Sequence, residues 1–131
     1  ASEKSLINQP IKSMSPLTTG ILKSLDYESI ALARQRNFWM LHDSLRELNP
    51  FELDNLDDFI PMIYPLFSNS NALRKKLIEN KIYIAQYWLD ASDRVDDVEQ
   101  LFIEKLIPLP IDQRVDSHDL EVLSELIKNG K

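Results

Sequence analysis

The chain contains no cysteine and only 2 glycines among 131 residues. Without cysteine there is no disulfide framework, no thiol nucleophile and no Cys-type zinc site. With so little glycine, a loop whose backbone cradles a phosphate is nearly excluded. Cations are short as well: 15 Lys and Arg stand against 21 Asp and Glu, for a net charge of −6. Nucleic acid and anionic membrane surfaces both require clustered Lys and Arg, so neither is an expected partner. No apolar run approaches the roughly 20 residues of a membrane span. The start of the chain lacks the apolar core of a signal peptide. These absences fit a cytoplasmic protein.

What remains is globular composition, 44% hydrophobic and 27% charged, at the length of one ordinary domain. Residues 1–14 are polar and unpatterned and read as a loose lead-in to a single domain over 15–131. Ser15-Pro16 is a helix start, because serine can cap and proline suits the first helical position. A short helix to Leu25 follows, with Leu17, Ile21, Leu22 and Leu25 on one side. Asp26 caps a longer helix from Tyr27 to Leu48, whose apolar stripe Arg34 interrupts. Asn49-Pro50 stops it.

Three strands are expected, at Phe59–Phe67, Ile82–Trp88 and Leu106–Ile111. The prolines in the first and third place those strands at a sheet edge. Helices fill the intervals: Ala72–Asn80 with Leu73, Leu77 and Ile78 inward, a short acidic one within 90–104, and His118–Lys128 capped by Asp116 or Ser117. The fold class is α+β, a small three-stranded or four-stranded sheet flanked by helices.

Metal and nucleophile chemistry find little support. Asp54, Asp57 and Asp58 cluster, as do Asp93, Asp96 and Asp97, but neither group has the glycine of a calcium loop. Both read as solvated acidic faces. His42 and His118 stand alone and are expected in surface or capping roles. No Gly-x-Ser-x-Gly elbow exists. Three polar clusters are left: Arg34-Gln35-Arg36-Asn37 in the long helix, Gln86-Tyr87-Trp88 at the end of the middle strand, and Asp112-Gln113-Arg114 after the third. Taken alone, the first reads as a solvated helix face. The second reads as a core tryptophan beside an exposed tyrosine, and the third as a polar turn.

In this order, and within MSPLTTGILKSLDYESIALARQRNFWMLHDSL, LRKKLIENKIYIAQYW and LIPLPIDQRVDSHDL, the clusters resemble the C-terminal part of the DegT/DnrJ/EryC1/StrS aminotransferases. The resemblance covers roughly residues 14–128. It implies the small domain of a homodimeric fold-type I enzyme dependent on pyridoxal phosphate (PLP), which moves an amino group onto a keto-sugar nucleotide. It implies that Gln86, Tyr87 and Trp88 lie on the rim of the substrate cleft, with Trp88 stacking on a ring and Arg114 as a fixed charge nearby. The departures are specific. The Ser-Phe-x-x-x-Lys context of the family's catalytic lysine is absent, as is its glycine-serine stretch. Gln86-Tyr87-Trp88 stands where many relatives have a His-Tyr pair, and Val115 replaces a common aromatic. No catalytic residue and no cofactor ligand is therefore assigned, PLP belongs to a large domain outside this chain, and the chain alone is not expected to transaminate. The alternative expectation is a stand-alone protein-interaction or regulatory module.

Overall fold

The structure, a computed structural model, describes residues 10, 12–53, 56 and 59–130. Most of the expected lead-in (residues 1–9 and 11) and Asp54, Asp57 and Asp58 lie outside the described residues. The elements are α1 (Pro16–Lys23), α2 (Tyr27–Leu45), β1 (Ile63–Phe67), α3 (Asn71–Glu79), α4 (Asp97–Lys105), β2 (Leu106–Pro110) and α5 (Ser117–Lys128). A 3-10 turn, Arg46–Leu48, extends α2. The expected caps are in place: Ser15 accepts from the Thr18 amide and Asp26 from the Ser29 amide. Asp96 and Asp116 each open a helix with a reciprocal capping box.

The class is α+β, built on a two-stranded antiparallel sheet. The register pairs Ile63 with Pro110, Pro65 with Pro108 and Phe67 with Leu106. Ser68 donates to the Lys105 carbonyl at 3.0 Å and so fixes the alternation. Tyr64 and Leu66 turn their backbone groups toward β2, while residues 65, 67, 106, 108 and 110 turn theirs outward. Pro65, Pro108 and Pro110 all fall on outward positions, where a missing N–H breaks no ladder bond.

Side chains finish both edges. Along β1 the Asn49 amide stands in for a strand: Nδ2 donates to the Pro65 carbonyl at 2.9 Å, and Oδ1 accepts from the Phe67 amide at 3.2 Å. Along β2 the Arg74 guanidinium donates to the Leu106 carbonyl at 2.9 Å. It also reaches the carbonyls of Ile84 at 3.3 Å and Ala85 at 2.9 Å. This is where the expected middle strand runs. Residues 82–88 lie against the sheet, with Ile82 and Ile84 packed on the core, but carry no ladder to either strand. The physical reason is the edge they meet: Pro108 and Pro110 offer no amide donors, so a guanidinium makes the join.

The core lies between the sheet and the helices α2, α3 and α5. Phe38, Leu41 and Leu45 of α2 meet Tyr64 and Leu66 of β1, Ile107 and Leu109 of β2, and Leu120, Leu123 and Ile127 of α5. Leu73 and Leu77 close it from α3 as expected, whereas Ile78 is exposed. One further expectation is corrected. His42 is no surface residue: it stands one turn after Phe38, is only 4% exposed, and lies 6.2 Å from the rings of both Phe38 and Tyr64. The α1 stripe faces solvent, since no residue of α1 is buried. In α4 only Ile103 is buried, while Val98, Leu101 and Phe102 remain exposed.

Candidate functional site

The polar clusters occupy the two ends of β2. Beyond its C-terminal end, residues 111–115 form a turn closed by the Val115 amide on the Asp112 carbonyl at 3.0 Å. Asp112 Oδ1 accepts from the Arg114 backbone amide at 3.0 Å and from Arg114 Nε at 2.8 Å. Oδ2 accepts from Nη2 at 3.1 Å, which completes a bidentate pair. That hydrogen-bonded guanidinium holds the Asp112 carboxyl below its ordinary value, with Arg34 adding a smaller push in the same direction. Asp112 in turn raises Arg114.

The first cluster joins this turn from α2. Asn37 is fully buried, and its Nδ2 is shared among the carbonyls of Ile111 at 3.3 Å, Asp112 at 3.1 Å and Val115 at 3.0 Å. Its Oδ1 accepts from Arg36 Nε at 3.3 Å and Nη2 at 3.2 Å. Arg34 Nη1 donates to the carbonyls of Pro61 and Met62, both at 3.2 Å, and Gln35 to that of Phe59 at 2.8 Å. The expected solvated helix face is therefore corrected. Arg34, Gln35 and Asn37 suture two irregular segments to α2 by supplying donors to carbonyls that no ladder satisfies.

At the N-terminal end of β2 the arrangement differs. Gln86 Nε2 donates to the Ile103 carbonyl at 3.4 Å. Tyr87 is half-buried and its ring centroid lies 5.4 Å from that of Trp88. Trp88 is 61% exposed, so the expected core tryptophan is also corrected. Its backbone adopts φ 58° and ψ 26°, a left-handed conformation that bulky residues rarely take. Behind it lies an open groove of about 390 Å3, lined by Trp88, Ala91, Val95, Glu99, Phe102, Ile103 and Leu106. Glu99 is its one ionisable wall residue. One carboxylate oxygen of Glu99 accepts from the Asp96 amide at 3.2 Å.

The structure thus brings Gln86, Tyr87 and Trp88 together and leaves Arg114 apart from them. Five residues of β2 separate the two ends, about 13 Å at the usual rise per residue. Larger depressions of about 660 and 580 Å3 flank α3 and α5, and neither collects the expected site residues. The sequence reading passed over Asn49, Arg74 and Glu99 as functional side chains. Asn37 carried a signal: it shares a helical face with Leu41 and Leu45 at spacings of four, which marks it as buried.

Among the described residues no group of three His, Cys, Asp or Glu side chains could hold a metal ion. Gly20 lies inside α1 and Gly130 follows α5, so neither forms a phosphate-binding loop. Among the described residues no helix is long and apolar enough to cross a membrane. No family model, no curated protein and no solved structure matches the chain.

Proposed function

We propose that the chain is the C-terminal small domain of a PLP-dependent aminotransferase of the DegT/DnrJ/EryC1/StrS type, acting on keto-sugar nucleotides in the cytoplasm as part of a homodimer. One observation carries the reading. The two stretches most characteristic of the resemblance, the arginine-rich helix and the PIDQRV turn, are 74 to 78 residues apart and meet through the Asn37 amide. A resemblance made of unrelated fragments gives no reason for them to meet. In this reading 82–88 is the third strand of the small-domain sheet, joined through Arg74 rather than by a ladder. The rim residues Gln86, Tyr87 and Trp88 face the sugar, and Arg114 supplies a fixed charge at the far end of β2.

A large domain would also give α1 a reason to exist. Leu17, Ile21, Leu22 and Leu25 are all exposed. An isolated helix of 8 residues does not hold itself in water. A PLP-binding domain packed over that face would cover it. The same face suits the alternative, a stand-alone interaction module whose α1 docks another protein.

The test is spectroscopic. This chain mixed with PLP should show no lysine-bound chromophore, and borohydride should fix no pyridoxyl group at a single lysine. Joined to the protein encoded immediately upstream in its gene, it should show both. Specific reduction at one lysine of this chain alone would sink the reading. So would an upstream region that encodes no lysine-bearing PLP domain, an outcome that favours the interaction module.

A further inference from the structure

We propose that the groove behind Trp88 binds a small organic cation, an ammonium group carried on an apolar ring or chain. This goes beyond the aminotransferase reading and does not rest on it. The lining residues are apolar apart from Glu99, and the volume of about 390 Å3 is that of a small-ligand site. An apolar body fits against Phe102, Ile103 and Leu106. The indole of Trp88 stands at the mouth, more than half exposed. Its face attracts a cation through the ring quadrupole.

The charge around the groove decides the sign of the ligand. Glu99 lies in the wall, and Asp90, Asp93, Asp96 and Asp97 belong to the same arc of chain that supplies Ala91 and Val95. Arg94 is the only cation in that arc, and it is engaged: Nε lies 3.6 Å from Asp93, and Nη2 donates to the Asp90 carbonyl at 2.8 Å. Arg74 reaches the Leu106 wall but is spent on the carbonyls of Ile84, Ala85 and Leu106, so a diphosphate or carboxylate entering here meets repulsion from the acidic arc. A metal ion meets no suitable set of ligands among the described residues. An organic ammonium is favoured both by the acidic side chains of this arc, Glu99 among them, and by the Trp88 face.

The left-handed backbone of Trp88 is consistent with this role. It costs roughly 1–2 kcal/mol for a residue with a Cβ, and it holds the indole out over the groove instead of in the core.

The experiment follows the emission of Trp88 during ligand titration. Trp39 is the only other tryptophan, so a Trp39→Phe background isolates the signal. The probes are 2-phenylethylammonium, its neutral counterpart 2-phenylethanol, and phenylacetate, at matched ionic strength. The ammonium should bind saturably, roughly ten-fold more tightly than the alcohol, and the acid should not bind. Glu99→Gln keeps the capping box, because glutamine serves at that position. It should lower the affinity for the ammonium, toward that of the alcohol. Trp88→Ala, followed by calorimetry, should abolish binding. Equal binding of ammonium and alcohol, tighter binding of phenylacetate, or unchanged ammonium affinity in Glu99→Gln would each overturn the proposal.

Discussion

At the C-terminal end of β2, polar side chains turn inward and spend their donors on backbone carbonyls. Asn37 is shared among three of them, and Arg34 and Gln35 serve three more on the segment before β1. At the N-terminal end, apolar side chains turn outward. Trp88 and Phe102 are exposed at a groove whose lining holds one ionisable residue, and Val98 and Leu101 are exposed around a second depression beside Phe51 and Phe67. The first arrangement leaves few donors for anything else. The second leaves apolar surface in water, which the fold itself does not need. The contrast separates residues that hold the chain together from residues open to a ligand.

The most damaging test of this division is Asn37→Ala. It removes the side-chain donor from the carbonyls of Ile111, Asp112 and Val115, of which Asp112 keeps the Val115 amide as a second donor, and should cost about 3 kcal/mol in urea unfolding. A loss under about 1 kcal/mol would mean that water replaces the amide and that the suture is dispensable. Next is Arg74→Met, which keeps an apolar stem but removes donors from Ile84, Ala85 and Leu106. Burial already lowers the guanidinium's pKa. The substitution therefore also relieves a desolvated charge, and a net loss of about 1–2 kcal/mol is expected. Amides in 82–88 should exchange faster in this variant while those of α5 do not. Uniform acceleration would show that Arg74 supports the whole core.

A smaller effect, of opposite sign, compares the two left-handed residues. Lys81 (φ 63°) follows α3, and Trp88 (φ 58°) opens the groove. Lys81→Gly supplies the residue that helix ends favour and should stabilise by about 0.5–1 kcal/mol. Trp88→Gly relieves the same strain and should gain a similar amount while losing the ligand. A Trp88→Gly variant that is strongly destabilised would show that the indole is a packing residue after all.

Much of the scaffold was legible, for reasons that particular residues make plain. Ser15, Asp26 and Asp116 are caps because their side chains satisfy local amides, and local chemistry needs no tertiary knowledge. Leu120, Leu123 and Ile127 follow helical periodicity into the core. The middle strand misled, because IYIAQYW alternates well but pairing depends on the neighbour, and the neighbour's outward positions are prolines. Leu17, Ile21 and Leu22 misled in a different way, since periodicity names an apolar face without saying whether anything covers it. Gln86, Tyr87 and Trp88 are neighbours by sequence alone, but their distance to Arg114 depends on which end of β2 each cluster occupies. That a polar run such as Arg34–Asn37 would face carbonyls also depends on three-dimensional neighbours 24 to 78 residues away.

The gentlest prediction concerns Arg114 itself, because its bond to Asp112 is the one polar contact of this end that stands largely in water. The side chain is 84% exposed, and solvent screening keeps such a pair weak. The hydrogen bond from Arg114 lowers the Asp112 pKa in the folded state, so the carboxylate form favours folding. That contribution is complete above the ordinary carboxylate value of about 4 and fades as pH falls through the lower folded value. Arg114→Gln should therefore reduce stability slightly near pH 7, by less than any substitution above. The gap from the parent chain should stay constant down to about pH 5 and close below about pH 4. A gap that stays open at pH 2 would show that Arg114 acts through contacts other than the Asp112 carboxylate. A gap as large as that of Asn37→Ala would dissolve the division between the buried suture and the exposed pair.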